Sequence, residues 1–132
     1  MKQLLISLTI LFSSGLLFSQ PAFNEPDLVV DKEVHDFGNI EKGSDGNCTF
    51  TVTNNGDQPL IISKCEKTCG CTIPTCDHKP ILPAETSEIH VSYDTNRIGP
   101  FNKSVKIHSN DPDEALKILR IEGTVVLASV TE

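Results

Sequence analysis

The sequence of 132 residues lacks most of the features that mark an enzyme or a membrane protein. It has no tryptophan, one tyrosine, no glycine-rich phosphate loop and no stretch with convincing helical periodicity. Beyond residues 1–19 no run is apolar enough for a membrane span. Basic residues are also scarce, with 11 Lys and Arg against 18 Asp and Glu, which gives a formal charge of −7. This excess of negative charge argues against nucleic acid or an anionic lipid surface as a partner.

The start of the chain has the pattern of a secretory signal peptide. Residues 1–19 combine a basic start at Lys2 with an apolar run that is too short and too interrupted for a span. The protein is therefore expected to be exported to the periplasm, the cell surface or the medium. Residues 20–27 are predicted to be a flexible lead-in, and residues 28–132 have the length of a single domain of ordinary size.

Alternating apolar and polar residues predict short strands throughout this domain. In residues 47–54, Cys48, Phe50 and Val52 alternate with asparagine and threonine, as expected for a half-buried strand. Further strands are predicted over residues 28–34, 89–93, 101–108 and 116–126 and from residue 59 onwards. Glycine, proline and asparagine separate these segments, and Gly38 suits a bend or bulge where an edge strand changes partner.

About seven such strands and no helix indicate an all-β fold, an immunoglobulin-like β-sandwich in which two sheets pack face to face. An open barrel is the lesser alternative. The antibody form of the sandwich is excluded, because tryptophan is absent and the strand over residues 101–108 has no cysteine to meet Cys48. Cys48 is therefore predicted to be a buried free thiol.

The chemically distinctive stretch is residues 64–83, which holds four of the five cysteines: Cys65, Cys69, Cys71 and Cys76. Exported proteins fold in oxidising compartments, so an even local set of cysteines predicts two disulfides, for which three pairings are possible. A bond between Cys65 and Cys76 would close a loop of about twelve residues and add about 3 kcal/mol of stability. A bond between Cys69 and Cys71 would be easier to reduce.

Two other chemistries stay open for the same four cysteines. Their thiolates, with His78 as an extra ligand, suit Cu(I) or Zn(II), although zinc sites usually join two separated pairs of ligands. Thiol–disulfide exchange at Cys69 and Cys71 is the lesser alternative, because the spacing is not C-x-x-C. The sequence indicates no catalytic residue and no cofactor, and the histidines at positions 35, 90 and 108 are expected to be solvated or hydrogen-bonded.

Five short motifs occur in an order that resembles a known family. They are Asp36-Phe37-Gly38-Asn39-Ile40, Asn54-Asn55-Gly56-Asp57-Gln58-Pro59-Leu60, Cys69-Gly70-Cys71-Thr72, Pro80-Ile81-Leu82-Pro83 and Gly99-Pro100-Phe101. Together they resemble the bacterial secreted family called domain of unknown function 1573, common in Bacteroidetes-like bacteria, over about residues 34–126. The resemblance implies an immunoglobulin-like sandwich akin to Hydin-type, major-sperm-protein and pilus-chaperone modules, and no established activity.

The chain departs from the usual pattern of that family at two positions. Ala84 stands where a glycine commonly follows the second proline, and Cys76 stands where an aromatic residue is common. The resemblance therefore implies that Cys76 has gained a partner, and Cys65 at the end of the preceding strand is the expected one.

These expectations combine into an exported, non-enzymatic domain with a structural or protein-binding role and an unknown protein partner. If the partner binds by strand addition, the edge over residues 28–34 is the expected site. Thiolate metal binding is the alternative function, and a redox carrier is the lesser one.

Overall fold

Eight β-strands form two four-stranded sheets in the computed structural model, which describes residues 25–129. The strands are β1 (Leu28–Val30), β2 (Val34–Glu41), β3 (Asn47–Asn54), β4 (Ile62–Lys67), β5 (Thr72–Thr75), β6 (Thr86–Tyr93), β7 (Gly99–Ser109) and β8 (Leu116–Val126). The strand order is β1-β3-β6-β5 in the first sheet and β2-β8-β7-β4 in the second. This arrangement confirms the predicted all-β sandwich. Within the described range there is no helix able to cross a membrane, and the predicted signal peptide lies outside that range.

The core lies between the two sheets and is built from the inward residues of each strand. Phe50 on β3, Ile89 on β6, Ile107 on β7 and Leu119 on β8 are each 1% exposed or less. Their polar neighbours in sequence point outward, because successive side chains of a strand lie on opposite faces. The apolar faces predicted for β3, β6 and β8 are the buried faces in the structure.

The segment predicted as one strand over residues 28–34 is divided between the two sheets. β1 pairs with β3 in the first sheet, whereas β2 runs parallel to β8 in the second. Asp31 ends β1, because its carboxylate accepts the N–H of Thr51 (2.9 Å) while its own N–H donates to the Thr51 carbonyl (3.0 Å). The chain therefore changes sheets at residues 31–33, before Gly38.

The bulge expected at Gly38 is present, between Asp36 and Asn39 of β2. Gly38 has a φ of 62°, which favours glycine. Opposite it, a Cβ added at Gly123 would lie 2.9 Å from the Gly38 carbonyl oxygen and 3.1 Å from the Phe101 ring. Glycine at position 123 therefore lets β8 pack against the bulged strand.

Two elements around the cysteines differ from the prediction. The strand predicted from residue 59 begins only at Ile62, and Leu60 makes an isolated bridge with Ile81. β5, which was not predicted, pairs with β6 despite Pro74. Pro74 is tolerated because the alternation of backbone groups turns its nitrogen to the outer side of this edge strand, where no N–H is needed.

Residues 25–27, the described end of the predicted lead-in, are hydrogen-bonded to the turn after β3. Asp57 N–H donates to the Glu25 carbonyl (3.0 Å), and Asn55 N–H donates to the Asp27 carbonyl (2.8 Å). A Cβ at Gly56 would lie 2.1 Å from the Glu25 carbonyl oxygen, so only glycine allows this close approach. These three residues are thus held against the domain.

Candidate functional site

The cysteine segment connects the two sheets along one side of the sandwich. β4 is an edge strand of the second sheet and β5 is an edge strand of the first, and residues 68–71 carry the chain between them. All four cysteines of the segment lie on or next to these two strands. The segment therefore closes the gap between the sheets on this side.

A disulfide joins Cys65 on β4 to Cys76 just after β5, with 6.4 Å between the two Cα atoms. Cys65 lies opposite the buried Ile107 of β7 and therefore faces the interior. Both cysteines are half-buried and pack against the core. The bond ties the outer strands of the two sheets together.

A second disulfide joins Cys69 to Cys71 across Gly70, in the turn between β4 and β5. The two sulfur-bearing residues differ in accessibility: Cys71 is 5% exposed, whereas Cys69 is only partly buried. Cys71 N–H donates to Cys69 Sγ (3.3 Å), and the hydroxyl of the fully buried Thr72 lies 3.6 Å from Cys69 Sγ and 3.8 Å from Cys71 Sγ. This turn thus places polar donors against both sulfurs.

His78, the extra ligand of the metal hypothesis, is hydrogen-bonded to the backbone at the start of β4. Its Nδ1 donates to the Ile62 carbonyl (2.7 Å), since a carbonyl can only accept. The four cysteines are in disulfides, and between residues 25 and 129 no group of three or more His, Cys, Asp or Glu side chains is placed to hold a metal ion. In this oxidised structure the metal hypothesis therefore has no ligand set.

Cys48 is a buried free cysteine on β3, away from the turn that holds the other four. Burial raises the pKa of its thiol to about 11. A thiol that stays protonated at neutral pH is a poor nucleophile and a poor metal ligand. Cys48 therefore contributes to packing, and it takes no part in the chemistry of the site.

Lys64, Glu66 and His108 lie together on the outer face of the second sheet beside Cys65. Glu66 accepts hydrogen bonds from Lys64 and from His108, whose Nε2 lies 3.1 Å from Glu66 Oε2. The hydrogen bond from Lys64, followed by the bond from His108, lowers the pKa of Glu66 to about 2. The carboxylate therefore stays ionised well into acid.

We expect Glu66 to titrate near pH 2 and the Lys64→Gln variant to titrate about one pH unit higher. Because the pKa of Glu66 is depressed in the folded state, its contribution to stability is complete above the unfolded value of about 4.3 and is lost as pH falls towards 2. Carbon-detected NMR of the carboxyl group measures this midpoint. Lys67→Gln is the control and should leave it unchanged. A wild-type midpoint near 4 would contradict the prediction.

A separate groove lies on the opposite side of the sandwich, where β2 begins beside β8. It has a volume of about 430 Å³, and its apolar lining consists of Val34, Leu116 and Ile118, which are 43%, 42% and 41% exposed. Lys117 forms its base, bonded to Glu33 at 2.6 Å and to Glu114 at 3.1 Å. The hydrogen bond from Lys117 lowers the pKa of Glu33 and correspondingly raises that of Lys117.

The backbone of β8 is open along this groove. β2 pairs with β8 only from Arg120 onwards, and Arg120 N–H donates to the Glu33 carbonyl (2.7 Å). Because backbone groups alternate sides along a strand, the N–H and C=O groups of Leu116 and Ile118 point the same way. No strand within residues 25–129 lies beside them on that side.

This groove was not predicted from the sequence. Ile118 and Leu119 are adjacent apolar residues in a strand, so one of them has to face outward. That pattern was a usable signal for an apolar outer face. The late start of β2, which leaves the face uncovered, has no sequence signal.

The fold of this chain is shared with several known proteins. The model of the family described as protein of unknown function (DUF1573) matches residues 28–125. No curated protein is similar enough to be matched. Similar solved structures include a protein of unknown function from Porphyromonas gingivalis, with a TM-score of 0.70 and 16% identity over 80% of this chain. The match covers 51% of that protein, so this chain spans about half its length.

Two further structures have the same sandwich. The ASH / PapD-like domain 7 of human CEP192 has a TM-score of 0.66 and 8% identity, with 97% of this chain and 100% of that domain covered. The periplasmic chaperone SfaE has a TM-score of 0.54 and 13% identity, with 77% and 61% of the two chains covered. At these identities the likeness is one of fold, and it confirms the predicted immunoglobulin-like, PapD-like sandwich.

Proposed function

The chain belongs to the family of proteins of unknown function DUF1573, and we propose that this member is an exported, non-enzymatic module that binds a partner protein by strand addition at the groove between β2 and β8. The observation that carries the proposal is the open backbone edge of Leu116 and Ile118, bordered by exposed aliphatic side chains. Such an edge can pair with an extended segment, and exposed aliphatic side chains supply the contacts that select it.

Export is supported by three independent features. Residues 1–19 have the composition of a signal peptide, the cysteine segment is fully oxidised, and the sandwich is similar to that of a periplasmic chaperone. The non-enzymatic role is supported by the groove itself, because its apolar walls are aliphatic and three of its charged groups, Lys117, Glu33 and Glu114, are paired with one another.

The expected partner segment is extended and carries apolar side chains at alternate positions. Its backbone would pair with the N–H and C=O groups of Leu116 and Ile118, and its apolar side chains would lie against Val34 and those two residues. Residues 28–34, the edge favoured by the sequence, border the same side of the sandwich. A three-residue β1 offers a shorter ladder than the uncovered stretch of β8.

A photo-crosslinking amino acid at Leu116 is expected to capture a partner from the native envelope, and the capture should be lost when Ile118→Asp is added. A charged residue in the groove removes apolar contact without touching the core, because Ile118 is 41% exposed. Hydrogen exchange then distinguishes strand addition from side-chain contact, since the amides of Leu116 and Ile118 should become protected in the complex.

The matched control is Ile98→Asp, at a 56% exposed position in the turn before β7. It should leave the capture unchanged. Crosslinks that form equally well in the presence of Ile118→Asp would overturn the proposal, and so would a complex in which the β8 amides remain unprotected.

A further inference from the structure

The disulfide between Cys69 and Cys71 is expected to contribute less to the stability of the fold than the bond between Cys65 and Cys76. It spans a single residue, whereas the bond between Cys65 and Cys76 has a sequence separation of 11 and joins two edge strands. Closing so short a loop restricts the unfolded chain little, so the bond adds less stability than its neighbour. A disulfide with a small effect on folding is correspondingly easier to reduce.

The two sulfurs of this bond are not equally open to attack. Cys71 is 5% exposed, whereas Cys69 is partly exposed, and the intervening Gly70 lies on the surface. A Cβ at Gly70 would meet nothing within 4 Å, so the turn leaves room for an incoming group. An attacking thiolate therefore reaches Cys69 Sγ, and the bond breaks towards Cys71 Sγ.

Thr72 is placed to serve the sulfur that leaves. It is 0% exposed, and the two sulfurs are the only hydrogen-bonding partners of its hydroxyl among residues 25–129. A buried hydroxyl that contacts only weak sulfur acceptors adds little to the oxidised fold, where valine would pack as well. Once a sulfur carries negative charge, the same hydroxyl makes a charge-assisted hydrogen bond, which is about twice as strong as a neutral one.

Cys69 has a donor of its own. Cys71 N–H lies 3.3 Å from Cys69 Sγ, and Thr72 Oγ1 lies 3.6 Å from it. The Cys71 N–H becomes a stronger donor when Cys69 is a thiolate, and the single proton of the Thr72 hydroxyl is then available to Cys71 Sγ. The reduced form of the turn is therefore stabilised by groups that are already in position in the oxidised form.

We propose that the Cys69–Cys71 bond is a thiol–disulfide exchange site for dithiols, attacked at Cys69, with Cys71 as the leaving thiolate and Thr72 as the hydrogen-bond donor to it. The site lies on the opposite side of the sandwich from the β2–β8 groove, so the proposal stands independently of the partner-binding function. Thr72 contacts the reacting sulfurs directly in this reaction.

The exchange balances as a two-electron transfer. A thiolate of the dithiol bonds to Cys69 Sγ, the Cys69–Cys71 bond breaks, and its electron pair remains on Cys71 as a thiolate, which takes up a proton from water. The second thiolate of the dithiol then attacks the dithiol sulfur that is bonded to Cys69 and releases Cys69 as a thiolate. The dithiol ends as a disulfide, and Cys69 and Cys71 end reduced.

The first test compares the two disulfides of the intact protein in buffers of graded ratios of reduced to oxidised dithiothreitol. After acid quenching and alkylation, peptide mass spectrometry reports which cysteines were reduced. Cys69 and Cys71 should be half reduced at a ratio about tenfold more oxidising than Cys65 and Cys76 require. Simultaneous reduction of the two bonds would overturn the proposal, as would earlier reduction of Cys65–Cys76.

The second test locates the attacked sulfur. Brief treatment with reduced glutathione, followed by alkylation, should leave the glutathione adduct on Cys69. An adduct found on Cys71 would contradict the assigned direction of attack.

The third test addresses Thr72. The rate of reduction by dithiothreitol should fall about fivefold in Thr72→Val, as expected for the loss of one hydrogen bond to a developing thiolate. Thr72→Ser keeps the hydroxyl and should retain the wild-type rate. Thr68→Val is the matched control, because the Thr68 hydroxyl in the same turn donates to the Ser104 carbonyl (3.1 Å) and contacts neither sulfur.

The stability of oxidised Thr72→Val separates an effect on the exchange reaction from an effect on folding. It should unfold at the wild-type denaturant concentration, since valine fills the same buried space. A wild-type reduction rate in Thr72→Val would overturn the role of Thr72. An equal fall in rate in Thr72→Ser would also do so, because the hydroxyl would then not be the active group.

Discussion

Replacing Asn54 with alanine is expected to lower the free energy of unfolding by about 3–4 kcal/mol, the largest effect expected of any polar substitution considered for this domain. Asn54 is 0% exposed at the end of β3. Its Nδ2 donates to the carbonyls of Gln58 (2.7 Å) and Ile81 (2.8 Å). Its Oδ1 accepts from the N–H groups of Gly56 (2.9 Å) and Asp27 (3.3 Å).

The four bonds explain the size of the effect. They connect the lead-in, the turn after β3 and the bridge that Ile81 makes with Leu60, so one amide holds three separate segments. Alanine would leave several of these backbone groups without a partner, and each such group costs about 1–3 kcal/mol when it is kept from water. A fully satisfied buried network loses more on truncation than a single exposed bond does.

Urea unfolding of the Asn54→Ala and Asn55→Ala variants measures the loss in the free energy of unfolding for each. Asn55 is the matched neighbour, because its side chain makes one exposed bond to Asp27 Oδ2 (3.2 Å) and should cost less than about 1 kcal/mol on removal. The dependence of unfolding free energy on urea should stay the same in both variants. Equal losses for the two asparagines would show that the amide network does not hold the segments together.

Removing the Cys65–Cys76 bond by the double change Cys65→Ser and Cys76→Ser is expected to cost about 3 kcal/mol. The bond restricts a loop of about twelve residues in the unfolded chain, and it ties β4 to the end of β5 in the folded one. Each sheet contributes one edge strand to this disulfide. Breaking the bond therefore removes the covalent link between the two edge strands. The loss of stability is measured by thermal unfolding of the variant and the wild type in non-reducing buffer.

The parallel double change Cys69→Ser and Cys71→Ser provides the comparison. It opens a loop of only three residues, for which the same relation gives about 1.5 kcal/mol. The first pair should therefore destabilise about twice as much as the second. A larger loss from the Cys69–Cys71 pair would mean that the turn, and not the link between the sheets, is the structural element.

Much of the sandwich was predictable because period-two patterns are local. Phe50 and Val52 in β3 or Leu119 and Ile121 in β8 define a buried face with no knowledge of their partners. The division of the first predicted strand was not predictable in this way. It depends on the carboxylate of Asp31 reaching Thr51, a residue 20 positions away.

The candidate sites were likewise predictable from the sequence only in part. The composition of the cysteine segment predicted disulfides, but β5 was missed since proline, glycine and cysteine together are typical of a loop. The role proposed for Thr72 has no sequence signal, because a threonine beside a cysteine is informative only when its burial is known. The groove at Ile118 depends on where β2 begins, which is decided by the packing of the whole second sheet.

The parallel pairing of β2 with β8 also governs how the domain bears mechanical load. Tension applied to the two flanks first loads β1, which pairs with β3, and then reaches β2, which follows β1 directly. β2 and its neighbour β8 are then pulled lengthwise past one another. The ladder from Val34 to Glu41 then resists in shear, with its hydrogen bonds stretched together. Antiparallel neighbours pulled from one end would instead separate one bond at a time.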